Sequence, residues 1–132
     1  MKISKSAEYA LIAAGYIADN HQDGAILATK ISNEYGVSVG YLLKILQQLV
    51  RAGVLRSKRG PRGGFALARP PEHITLLQLI EALDGPLTGD LSLSELTGGA
   101  PFSVKMEAVC RKATEDVRDV LGSTVLSDFI GT

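Results

Sequence analysis

The chain has 132 residues, of which 45% are hydrophobic, and its 14 Lys and Arg residues balance its 14 Asp and Glu residues. This composition suits a globular protein with a mainly aliphatic core. The single cysteine, Cys110, excludes an internal disulfide framework and cannot by itself build a four-thiolate metal site. The N-terminal segment does not resemble a signal peptide and no apolar run is long enough to span a membrane, so we expect a cytoplasmic protein without a membrane partner.

The zero net charge conceals a division of charge between the two halves of the chain. Residues 1–70 contain ten Lys and Arg residues and four acids, which gives a net charge of +6. Residues 71–132 contain four Lys and Arg residues and ten acids, which gives a net charge of −6. This division favours a module that binds a polyanion, joined to an acidic module with another role. The alternative is two solvated surfaces with no partner.

In the first half, apolar residues at helical spacing predict helices over residues 6–19, 28–35 and 39–52. Residues 20–24 are predicted to form a loop and residues 25–27 a short strand. Gly36 ends the second helix, Ser38 can cap the third, and Gly53 ends it. A short helix, a tight turn with glycine and a second helix together predict a helix-turn-helix, although an ordinary helical corner has the same pattern.

Two short apolar segments follow, over residues 54–57 and 65–68, and the basic segment KRGPRGG joins them. They predict a β-hairpin with a glycine-rich tip. The tip is either a DNA-contacting wing, a solvated basic turn or a nucleotide phosphate loop. The pattern GxxxxGK[ST] is missing and the glycines precede a strand, which disfavours the phosphate loop.

In the second half, Thr75 and Gln78 predict a capping box for a helix over residues 76–84, which Gly85 and Pro86 end. Residues 87–101 are predicted to be the least structured segment, and a long amphipathic helix follows over residues 102–121. The predicted fold is mainly α with a small β-hairpin wing. A winged helix-turn-helix DNA-binding domain (residues 1–72) precedes a linker helix, a loop and a long dimerisation helix (residues 73–132).

The predicted site is a surface for double-stranded DNA. A helix of this length fits the major groove, and its N-terminal end can bind phosphate. We expect Ser38 and Tyr41 to donate hydrogen bonds to phosphate, and Lys44 to contact phosphate or a base edge.

The hairpin tip adds further predicted contacts to DNA. Lys58, Arg59 and Arg62 supply positive charge, and Gly63 with its neighbouring glycines lets the backbone approach the duplex closely. An arginine at such a tip can enter a narrow minor groove. The competing hypothesis is a protein-interaction module whose basic wing only confers solubility. An enzyme is not expected, because the sequence contains no nucleophile paired with a base, no phosphate loop and no metal-ligand pattern.

Four segments carry a resemblance that covers nearly the whole chain. They are SAEYAL, YLLKILQQLVRAGVLRSKRGPRGGFALARP, ITLLQLIEALDGPL and LGSTVLSDF. Together they resemble the Rrf-two family of bacterial winged-helix repressors and activators. The resemblance implies DNA contacts from the helix that begins at Ser38 and from the wing, repression more often than activation, and a homodimer on a palindromic operator. The dimer seam implied for the long helix consists of Val109, Ala113, Val117, Val120 and Leu121.

Many members of that family hold a [2Fe–2S] cluster on three cysteines in the loop that corresponds here to residues 88–104. This loop contains no cysteine, so we expect no iron–sulfur cluster, no other cofactor and no metal. Leu43 stands where the iron–sulfur cluster regulator carries an acidic base-selecting residue, and it either contacts a thymine methyl group or packs. Cys110 is either a small buried apolar residue on the dimerisation helix or a redox- or metal-sensing thiol. If an unidentified effector binds, we expect it between residues 87–100 and the long helix.

Overall fold

The computed structural model describes residues 1–61 and 63–131. In chain order, its helices and strands are α1 (Lys5–Asp19), α2 (Ala28–Tyr35), α3 (Val39–Arg51), β1 (Leu55–Lys58), β2 (Gly64–Leu67), α4 (Leu76–Asp84), α5 (Leu93–Leu96) and α6 (Pro101–Ser123). Short 3-10 helices lie at His21–Asp23, Pro71–His73 and Leu126–Phe129. The predicted fold class, mainly α with a small antiparallel hairpin, is confirmed.

Helix α1 forms the centre of the core. The Ser4 hydroxyl caps it by accepting a hydrogen bond from the Ala7 N–H at 3.0 Å. Its buried face consists almost entirely of small side chains: Ala7, Ala10, Ala13, Ala14, Ile17 and Ala18. Small residues at a helix contact let the partner helix approach closely, and α1 accordingly packs against both α3 and α4.

Helices α2 and α3 form the predicted helix-turn-helix. Gly36 adopts the left-handed conformation at φ 68° and ends α2, and its N–H donates to the Ser32 carbonyl at 2.8 Å. Ser38 caps α3 by accepting from the Tyr41 N–H at 3.4 Å. The buried face of α3 comprises Leu42, Ile45, Leu46 and Leu49. This face holds α3 against the core and leaves the opposite face in solvent.

The hairpin pairs Leu55 with Leu67 and Lys58 with Gly64. The predicted strand over residues 25–27 is reduced to one bridge, between Ile26 and Phe65. Gly64 makes that bridge feasible, because its φ is +132° and a Cβ there would lie 2.4 Å from the Ile26 carbonyl oxygen.

The acidic half of the chain shares the core with the basic half. Ile74, Leu79 and Leu126 are buried in the same cluster as α1 and α3. The capping box at Thr75 is confirmed, since its hydroxyl accepts from the Gln78 N–H at 3.1 Å and its own N–H donates to the Gln78 amide oxygen at 2.9 Å. The chain after α6 returns to this helix start, where the Leu126 N–H donates to the Ile74 carbonyl at 2.9 Å.

The segment over residues 87–101 contains more structure than the sequence predicts. It includes the single-turn helix α5, and α6 begins at Pro101 and continues to Ser123. The Glu107 carboxylate holds α5 in place, because it accepts from the Ser94 N–H at 2.6 Å and from the Ser94 hydroxyl at 2.9 Å. Among the described residues, no helix combines the length and the apolar character needed to cross a membrane.

Candidate nucleic-acid interface

The N-terminal end of α3 presents the predicted phosphate contacts to solvent. Ser38, Tyr41 and Lys44 are all exposed. The Tyr41 hydroxyl lies 2.8 Å from the Ser6 hydroxyl, and its ring packs edge-on against Tyr9 with the ring centroids 5.6 Å apart. These contacts fix the Tyr41 hydroxyl at the surface, beside a helix end whose partial positive charge favours a phosphate.

The exposed face of α3 continues from this end towards the wing. Leu43 is 37% exposed, so it belongs to the solvent face and is not part of the core. Gln47 and Arg51 follow Leu43 at intervals of four residues and are also exposed. An exposed leucine can contact a thymine methyl group, and a glutamine amide can pair with the edge of adenine.

The sequence prediction omitted Gln47 and Arg51. Together with Val50, Ser57 and Phe65 they line a cavity of about 220 Å³ between α3 and the wing. The signal that could have identified them is the spacing from Leu43, because residues four apart share a helix face.

The wing places Lys58 and Arg59 at an exposed tip. Arg62, the third predicted basic contact, lies outside the described residues. The tip turns at Gly60, whose φ is +107° and whose carbonyl accepts from the Gly63 N–H at 2.8 Å. The basic side chains described in the wing are therefore held on a short, tightly turned backbone.

Gly63 differs from the other predicted contacts, because it is buried and its N–H already donates within the turn. A Cβ on Gly63 would lie 2.4 Å from the Lys58 carbonyl oxygen. We therefore assign Gly63 to the shape of the wing and not to direct contact with DNA.

The predicted seam residues of α6 fall into two groups. Val109 and Val120 are 70% and 65% exposed, and Ala113 is also exposed. Val117 and Leu121 are half-buried. Since α6 packs against α4 and α5 within the chain, these two residues belong partly to the internal packing of the chain.

The segment after α4 was the predicted position of an effector. The Arg118 guanidinium pairs with Glu81 and donates to the Leu87 carbonyl at 3.2 Å, while the Leu87 N–H donates to the Glu81 carboxylate at 2.7 Å. Gly89 lies so close to α6 that a Cβ there would be 2.6 Å from the Thr114 hydroxyl oxygen. A cavity of about 260 Å³ remains beside this segment and is lined in part by Leu87, Thr88, Ala113, Thr114 and Val117.

Comparison with known proteins identifies the family. The model of the Rrf2 family, described as "Iron-dependent Transcriptional regulator", matches residues 3–132. The chain belongs to the Rrf2 family. It is therefore a bacterial DNA-binding transcriptional regulator and not an enzyme.

Two relatives, CymR and IscR, support the assignment of this chain to the Rrf2 family. The HTH-type transcriptional regulator CymR of Bacillus subtilis is 31% identical over 129 residues, covering 98% of this chain and 89% of that protein. The structure of B. subtilis CymR, the global cysteine regulator, superposes with a TM-score of 0.84 at 30% identity and covers 97% of this chain and 95% of that chain. The structure of T. potens IscR superposes with a TM-score of 0.75 at 29% identity and covers 97% of this chain and 85% of that chain.

The donor set of this Rrf2-family regulator does not fit an iron–sulfur cluster. Such clusters are held by several cysteine thiolates, in some proteins with histidine, and the chain has one cysteine. Cys110 is exposed on α6, and within residues 1–61 and 63–131 no three His, Cys, Asp or Glu side chains are grouped closely enough to hold a metal ion.

Proposed function

We propose that this Rrf2-family regulator is a repressor that binds a palindromic operator as a homodimer, and that it does so without an iron–sulfur cluster. DNA binding follows from the family. The dimer, the two-fold operator, repression and the absence of a cluster are the proposal. The protein would act in the bacterial cytoplasm, where the operator DNA lies.

The observation that carries the proposal is an apolar stripe along α6. We define the α6 stripe as Phe102, Met106, Val109, Ala113 and Val120, all exposed. Their spacing of four and three residues, with Asp116 at the next position of the series, follows the heptad pattern of two-helix packing. An exposed apolar row of this length is costly to leave in water, and a second copy of α6 offers a matching row.

The stripe lies on a different side of α6 from the face that packs within the chain. At 100° per residue, Ser103, Glu107 and Arg118 lie between about 100° and 160° around the helix from the centre of the stripe. Ser103 and Glu107 are buried and Arg118 is half-buried and paired with Glu81. A partner helix could therefore cover the stripe without displacing the internal contacts of the chain.

A two-fold dimer would bind an operator that has two-fold symmetry. Two copies of α3 and of the wing, related by a two-fold axis, would contact two inverted half-sites about one helical turn apart or a multiple of it. Such a dimer bound across a promoter would obstruct RNA polymerase, which supports repression.

The donor set supports function without a cluster. In this chain α5 is held to α6 by the Glu107 carboxylate and Ser94, and Thr97 and Ser103 lie 2.6 Å apart at their hydroxyl oxygens. Protein–protein hydrogen bonds therefore fix the segment in which many relatives place cluster cysteines.

Three measurements test the parts of the proposal separately. Sedimentation equilibrium of the purified protein should give twice the chain mass, and a monomer at every concentration would refute the dimer. A transcription assay with a bound promoter should show less transcript, and more transcript would refute repression. Protein prepared without air and supplied with iron and sulfide should show no cluster absorbance, and a stoichiometric cluster would refute cluster-free function.

A further inference from the structure

A basic groove lies on the face of the wing sheet opposite α3. Its volume is about 700 Å³, within the usual range for small-molecule sites. The groove is lined on one side by β1 and β2, and on the other by the turn around His21 and Gly24 and by the rigid segment Pro70–Pro71. Among the described residues that we interpret as DNA contacts, only Lys58 lines it.

The orientation of this groove follows from the strand pattern. Leu55 is buried on the core side of β1, and successive side chains of a strand point to opposite faces. Arg56 and Lys58 therefore share the outer face, and both line the groove. Because α3 packs on the core side of β1, the groove and α3 lie on opposite faces of the sheet.

The lining of the groove is positively charged and uncompensated. Arg56, Lys58 and Arg69 contribute three cationic groups, and the described lining contains neither Asp nor Glu. None of the three forms an ion pair with a carboxylate in the described part of the chain. Three neighbouring cations without a counter-charge favour a bound dianion.

Arg69 supplies the observation that points to a ligand. Its Nε is buried and has no hydrogen-bond partner within the described residues. Its Nη2 donates only a long bond, 3.4 Å, to the Gln78 amide oxygen, which already accepts from the Thr75 N–H at 2.9 Å. A buried donor without a partner is uncommon in proteins. Because the Nε is enclosed, a phosphate in the groove would be met by the Nη groups of the planar guanidinium, whose geometry matches phosphate.

The rest of the lining indicates the kind of molecule that carries the charge. Ala25, Ala66, Ala68, Pro70 and Pro71 provide apolar surface beside the basic groups. Inorganic phosphate would leave that surface uncovered, whereas an organic phosphate would cover it with its carbon skeleton.

We propose that this groove binds a small organic phosphate, with the phosphate group held by Arg69 and Arg56 and its organic part against the apolar wall. The site is distinct from the cavity beside α6 in which the sequence suggested an effector. Binding here does not depend on the dimer or on the operator, so failure of the proposed function would leave it intact.

The test uses phenyl phosphate as the probe, added to the full chain without DNA and followed by amide NMR shifts. We expect saturable shifts confined to residues 21–25, 56–58 and 66–69. Arg69→Gln and the exposed Arg56→Gln should each weaken binding at least about 10-fold, as expected for loss of a charge-assisted hydrogen bond. Lys105→Gln, which removes the same charge from α6, should leave binding unchanged.

Several outcomes would overturn the proposal. Shifts located elsewhere, or equal affinity in wild type, Arg69→Gln and Arg56→Gln, would place the probe outside the groove. Equal affinity for benzoate would exclude a phosphate-selective site, and equal affinity for inorganic phosphate would exclude a role for the apolar wall. If Arg56→Gln weakens binding to a short DNA duplex as much as Arg59→Ala does, the groove is a contact for the DNA backbone and not a small-molecule site.

Discussion

Truncating Val109 to alanine should weaken the proposed dimer by about 30-fold. The change removes two methyl groups, which contribute about 1.6 kcal/mol when a side chain passes from full exposure to full burial. Val109 is 70% exposed in the chain, so a seam on the α6 stripe would recover about 1 kcal/mol per chain. Both chains carry the change, which gives about 2 kcal/mol per dimer, or about 30-fold in its dissociation constant.

The matched control for this experiment is Val104→Ala. Val104 is 48% exposed on the same helix, but at 100° per residue it lies on the side opposite the stripe. Sedimentation equilibrium over a range of protein concentrations measures both dissociation constants. Equal dissociation constants for wild type and Val109→Ala, or an equal loss in Val104→Ala, would show that the α6 stripe is not the seam.

Three further predictions concern the wing and the hydrogen bonds by which Glu107 holds α5. Arg59→Ala should weaken DNA binding and reduce the salt dependence of log K by about one unit of slope, measured by titration of DNA at several salt concentrations; an unchanged slope, equal to that of Lys105→Ala, would remove Arg59 from the interface. Gly64→Ala should lower the free energy of unfolding by about 1–3 kcal/mol in urea denaturation, because a side chain at this φ is strained and meets the backbone of the neighbouring segment; an unchanged midpoint would contradict the wing geometry. Hydrogen bonds from Ser94 lower the pKa of Glu107 below its ordinary value of 4.5. The stabilisation that these hydrogen bonds give to α5 is therefore complete above pH 4.5 and is lost as the pH falls through the lowered pKa. The protection factors of the amides in residues 93–97 should therefore fall as the pH is lowered through this range in the wild type, and change less in Glu107→Gln; the same pH dependence of protection in both proteins would refute this role of Glu107.

Local signals predicted much of the fold. The capping box at Thr75, the cap at Ser38 and the left-handed Gly36 each depend on residues within a few positions of one another. Such contacts are encoded in short stretches of sequence, so the bounds of α2 and α4 were predicted to the residue.

Long-range contacts explain what the sequence did not predict. Helix α5 has four residues and is too short to be stable alone, and it depends on Glu107, thirteen positions beyond Ser94. The strand over residues 25–27 became a single bridge because only Ile26 meets Phe65.

The interface was predicted in outline but not in detail. Charge and glycine content identified the wing, and the helix-turn-helix identified α3. The apolar spacing of α6 did not separate Val109, which is exposed, from Val117, which is half-buried, because both lie on the apolar side of the helix. That separation depends on the position of α4, which the sequence of α6 alone does not specify.

The most direct test of the central claim is selection of genomic fragments bound by the purified regulator, followed by sequencing of the recovered DNA. A dimer that presents two copies of α3 and of the wing predicts a shared motif with two inverted half-sites, centred about one helical turn or a multiple of it apart. Recovery of fragments with a single half-site, or with no common motif, would contradict the proposed dimeric recognition of an operator.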